Sequence, residues 1–122
     1  MKRTVFDQIV QSAIRRIPVV FREAMANVEI VVEDWPLPEL MEEVTGDAEG
    51  AVYGLFTGTP LPERRFDDLV QLPALIHLYR GPLEEDFPDP SDLAREIEIT
   101  LVHEIAHFMG FDEESLEEYG YQ

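Results

Sequence analysis

The sequence predicts one α+β domain spanning residues 1–122, and three observations predict it. Apolar residues recur at three- and four-residue steps near the start and again in a long run after position 91. Between these segments lie short β-rich runs bounded by Gly, Pro and acidic residues. The order is helices, then strands, then a long helix, which differs from regular βαβ alternation. The expected architecture is a small sheet of about three strands, mixed or antiparallel-edged, packed on N-terminal helices and on the long helix. A chain of 122 residues with 45 % apolar content buries a real core without disulfides.

The elements follow in order. Val5, Phe6, Ile9, Val10, Ala13, Ile14 and Ile17 line one face of a first helix. Pro18 interrupts it, and 18–26 form a second short helix. VEIVVED, 28–34, reads as a strand. The stretch 35–50 reads as a loop with one helical turn around Leu40. AVYGLF, 51–56, is a second strand, and the turn-rich stretch 57–68 follows. ALIHLY, 74–79, is a third strand, and RGPLEEDFPDP a further loop. Ser91 is the expected cap of a long helix over 92–109, which Gly110 stops. Asp112 suits the N-cap of a last short helix.

Composition narrows the function classes. Without cysteine, a thiol nucleophile, thiolate metal ligation and a disulfide scaffold are excluded, and a reducing compartment fits. The N-terminal segment alternates apolar and polar residues and has no apolar leader. No apolar run approaches a membrane span, so a cytoplasmic protein that does not engage membranes is expected. The net charge of −17, from 26 acidic and 9 basic residues, repels phosphate backbones and favours cationic partners such as basic peptides. A single asparagine and nine prolines lean toward a heat-tolerant source.

The chemistry concentrates in LVHEIAHFMGFDEE, residues 101–114. At about 100° per residue, His103 and His107 lie about 40° apart, one turn from each other. Ile97, Leu101, Val102, Ile105, Phe108 and Met109 cover the opposite side. Two imidazoles so placed reach one metal ion without backbone strain. Glu104 points roughly 60–100° around the helix from the pair, beside a water on the metal rather than on the metal itself. A carboxylate there serves as general base. Zinc catalysis needs about three protein ligands and an open position. The extended pattern HExxHxxGxx[H/D] puts the third ligand at Glu113, with Asp112 as the rival. Both also suit the first turn of the last helix.

HEIAHFMGFDEE resembles the extended zincin motif. Together with VYGLFTGTPLPERRF, LIHLYRGPLEEDF and LAREIEITLVHEIAHFMGFDEESLEE, it resembles the small bacterial zincin-like metallopeptidases. The likeness covers roughly residues 50–118, and the N-terminal helices by position only. It implies a zincin-like fold, one Zn²⁺ and hydrolysis of peptide bonds by a zinc-activated water with Glu104 as base. That family usually carries Asp at the third-ligand position, where this chain has Glu113. No methionine turn follows the motif, and only nine residues follow Glu113, so an open, shallow cleft is expected. The resemblance also implies that strand 75–79 is an edge strand pairing with extended peptide, with His77 and Tyr79 at the substrate. Tyr79, Arg80, Tyr119 and Tyr121 are the candidates for stabilising an oxyanion. Two rival readings come from other classes. One is a zincin-fold metal-binding or protein-interaction module with little catalysis. The other is a metal-dependent endoribonuclease, which Glu104 and the acidic surface disfavour.

Overall fold

A computed structural model describes residues 1–39, 52–58 and 73–121, without the side chain of Glu113. The helical turn expected around Leu40 and most of the stretch 57–68 lie outside the described residues.

The first helix, α1 (Arg3–Arg16), buries Phe6, Val10 and Ala13, as the periodicity dictates. Pro18 ends that run and stands as the N-cap of α2 (Val19–Ala24), which buries Phe21 and passes into a 3₁₀ turn at Met25–Asn27. The strands are β1 (Glu29–Glu33), β2 (Gly54–Thr57) and β3 (Leu75–Tyr79). They form a mixed sheet in the order β1-β3-β2, with β1 parallel and β2 antiparallel to β3. Ile76 and Leu78 of β3 are fully buried and share one core with Ile97, Leu101 and Ile105 of the long helix.

Three expectations need correction. First, strand 75–79 is not an edge strand. It lies in the middle of the sheet, so both sides of its backbone are already paired. Among the described strands, β2 and β1 are the outer ones. Second, the expected loop after Tyr79 begins with a helix, α3 (Arg80–Asp86). Pro82 sits in its first turn, where a missing N–H costs nothing. Leu83 is buried, and Arg80 pairs with Glu84 one turn on, at 3.2 Å. Third, the long helix, α4 (Pro90–Met109), starts two residues before Asp92. Its N-cap is Asp89, whose carboxylate accepts the Ser91 N–H at 2.8 Å. Pro90 then takes the first helical position, for which its fixed φ is suited.

Gly110 ends α4 with φ 80°, a left-handed value that a side chain resists. The Phe111 N–H returns to the Ala106 carbonyl at 2.9 Å, closing the turn. Asp112 then caps α5 (Glu113–Glu118) by accepting the Ser115 N–H at 2.8 Å. No helix among the described residues is long and apolar enough to cross a membrane.

Two tyrosines bind carboxylates. The Tyr121 hydroxyl donates to Glu98 Oε2 at 2.8 Å, and that of Tyr53 donates to Asp86. Burial, then the bond to Glu98, push the Tyr121 pKa up to about 12. For Tyr53 the bond to Asp86 comes first, with the same result of about 12. Folding therefore favours the protonated phenols. Their contribution is complete below pH about 10 and lost as pH rises toward about 12, because the native state holds the protons longer than the unfolded chain. Thermal midpoints measured across that range should fall for the native protein, and fall less steeply for Tyr121→Phe.

Candidate metal centre

The site grows out of α4. One side of this 20-residue helix buries Leu93, Ile97, Leu101, Val102, Ile105 and Phe108. Fixing that side in the core fixes the other. His103 is therefore half-buried and His107 exposed, one turn apart on the same face. Met109, expected on the core side, is only half-buried.

Glu104 lies between this face and the sheet. Its carboxylate Oε2 accepts the backbone N–H of Phe56 in β2 at 2.8 Å and stands 3.4 Å from His107 Nδ1. The strand register explains why that N–H is available. Tyr79 N–H bonds to the Tyr53 carbonyl, so 53, 55 and 57 form the hydrogen-bonded pairs with β3. Phe56 falls between them, and its N–H points away from β3 toward α4. The Glu104 side chain is 14 % exposed, against 56 % for His107, so the carboxylate is held while remaining reachable.

Gly54 permits this approach. A Cβ there would stand 2.6 Å from Thr100 Cγ2, 3.0 Å from the His77 carbonyl and 3.7 Å from Glu104 Cγ. Sequence reading placed a strand here but assigned no role to Gly54 or to the Phe56 amide. A glycine within a β-rich run was the available signal, since it marks a close backbone approach.

His77 is placed elsewhere. It alternates with the core-facing Ile76 and Leu78, so it stands on the other face of the sheet. There its Nδ1 meets the Glu33 carboxylate and its Nε2 lies 3.1 Å from Thr57 Oγ1, a contact across all three strands. Tyr79 stacks beside it and packs with Val52. Burial, then the carboxylates of Glu33 and Glu104, raise the Tyr79 pKa. The structure thus brings His103, Glu104 and His107 together and leaves His77 apart from them. The other oxyanion candidates are engaged away from the site. Arg80 holds Glu84 and the Met1 carbonyl, Tyr119 packs on Phe21, and Tyr121 bonds to Glu98.

Among the described residues, no group of three metal-ligating side chains is gathered. Asp112 is occupied as a cap. The Ser115 backbone N–H, then its hydroxyl, hold the Asp112 carboxyl below its usual range. The side chain of Glu113 lies outside the described residues, while its backbone opens α5 directly after that cap. The donors that are described fit zinc: two imidazoles at i and i+4 on one accessible helix face.

Replacing Gly54 by Ala should cost about 1–3 kcal/mol, since neither the helix nor β3 has room to give. Adding Thr100→Ala should recover part of the loss, because it removes the nearest atom. Denaturant unfolding of the two single variants and the double variant measures this coupling.

No curated protein matches the chain. The family model for zincin-like metallopeptidases matches residues 25–121, from the end of α2 through α5 and the turn beyond it. With the helix, its histidine pair and the adjoining glutamate in that span, the chain belongs to the zincin-like metallopeptidase family.

Proposed function

We propose that this protein is a cytoplasmic zinc-dependent peptidase that holds one Zn²⁺ through His103, His107 and Glu113. The observation that supports this best is the placement of Glu104. Its carboxylate is fixed beside the histidine face by a backbone N–H rather than turned away into solvent. Bound zinc would polarise the scissile carbonyl and lower the pKa of a water. Glu104 then takes a proton from the attacking water and delivers it to the leaving amine nitrogen. The hydrogen bond from Phe56 holds this carboxylate at the cleft edge through both transfers. The helix already spaces His103 and His107 one turn apart, as two ligands of one ion require.

An extended peptide is the substrate that suits this cleft. β2 borders the helix face, and among the described strands its outward backbone groups, apart from the Phe56 N–H that Glu104 holds, offer strand pairing in place of the buried β3. The net charge of −17 favours cationic sequences over acidic ones and disfavours nucleic acid.

Chelator-stripped protein titrated with zinc should take up one tight equivalent. His107→Ala should abolish that uptake. Glu113→Ala should weaken it, whereas Asp112→Ala should lower the thermal midpoint through its lost cap and leave the zinc affinity unchanged. The reverse pattern would make Asp112 the third ligand.

Glu104→Gln should keep its zinc while hydrolysis of a peptide library falls by about 10²–10⁴-fold. A zinc-loaded native protein that cleaves no member of a broad library would turn the assignment to a metal-binding interaction module.

A further inference from the structure

The zinc reading places the third ligand on α5. This helix is attached through Leu116 and a group of aromatic rings that is continuous with the main core. Phe21 of α2 meets Phe111, Tyr119 and Tyr121 edge-on, with ring centroids 5.4, 5.0 and 6.3 Å away. These three rings flank α5 on both sides. Leu116, within α5, is 1 % exposed. The Tyr121 N–H returns to the Leu116 carbonyl at 3.0 Å, and the Tyr121 hydroxyl reaches back to Glu98 on α4.

Glu98 is the one buried charged residue among the described residues, at 5 % exposure. Burying a carboxylate is costly unless it is well partnered. Its Oε2 accepts from Tyr121 Oη at 2.8 Å and from Arg95 Nη1 at 3.0 Å. A core position of α4 would more cheaply hold a leucine. What the carboxylate provides is a directional tie between α4, which carries the histidines, and the chain segment that follows α5.

We propose that Tyr121 is a positioning residue for the metal centre. Through its bond to Glu98 and its contact with Phe21, it clamps the 111–121 segment on α4 and α2 and so sets where the start of α5 stands relative to His103 and His107. The inference rests on the zinc reading with its ligand on α5. The histidine pair is fixed by one helix, whereas the third ligand depends on a turn and a six-residue helix, too short to hold its own shape. Clamping that segment in advance removes the ordering cost from metal binding.

The test is zinc affinity, measured by competition with a chromophoric chelator on the metal-free full chain, for the native protein and Tyr121→Phe. Hydrogen exchange at the amides of 111–118 is followed in parallel without metal. The phenylalanine keeps the ring and removes only the tie to Glu98. Zinc should bind about 10-fold more weakly, the scale on which residues supporting a metal ligand act. Exchange should quicken in 111–118 and stay unchanged in α4. Native binding with equal affinity in Tyr121→Phe overturns the positioning role and leaves the zinc reading intact. No tight binding by the native protein removes the zinc reading and this inference with it. If Tyr121→Phe does not fold, Tyr119→Leu loosens the same cluster from its exposed side, and unchanged zinc affinity there also overturns the proposal.

Discussion

Burial of one side of α4 is the constraint on which the rest depends. Ile97, Leu101 and Ile105 are fully enclosed, and each such side chain contributes about 1.5–3 kcal/mol over its exposed state. They meet Ile76 and Leu78 from the sheet and Phe6 and Val10 from α1. A helix held this way cannot rotate about its axis without exposing several of these side chains at once. The rotation that buries them is also the rotation that presents His103 and His107. Core and site are therefore set by the same interaction. A cavity made under α4 would disturb the histidine pair without touching it.

The second constraint is how closely β2 may approach. A side chain at position 54 would separate the strand from Thr100, and the Phe56 amide would lose its reach to Glu104. The absence of a Cβ at one position thus lets a backbone donor orient a side chain on another element. The antiparallel register completes the arrangement. Moving β2 by one residue would turn the Phe56 N–H into the ladder with β3 and leave Glu104 without it. Among the described strands β3 is flanked on both sides and β2 on one, so the expectation that β3 lies open at an edge does not hold.

Much of this was legible in the sequence where the signal was local. The α1 stripe, the interruption at Pro18, the two sides of α4, the stop at Gly110 and the cap at Asp112 all depend on residues within a turn or two of each other. What was missed depends on distant partners or on competing local signals. Gly81 and Pro82 read as loop, yet Pro in a first turn and the Arg80–Glu84 pair favour α3. Asp89 and Ser91 are both good caps, and Pro90 between them decides for Asp89. Strand order had no local signature, so β3 was expected at an edge. Glu98 looked like any polar helix residue, because the tyrosine that partners it lies 23 positions further on.

The two halves of the candidate site are therefore built with different rigidity. His103, Glu104 and His107 share a helix whose position is over-determined by the core, so the two imidazoles stand one turn apart, the spacing that one ion would need. Residue 113 stands beyond a left-handed turn, on a helix whose own length cannot stabilise it. Its place depends on rings contributed by α2 and by the residues on either side of α5. Of these, α2 lies wholly before residue 25, where the family match begins. The N-terminal helices thus meet the segment around α5 through Phe21. A segment that reads as scaffold in the sequence packs, in the structure, against the residues on either side of α5.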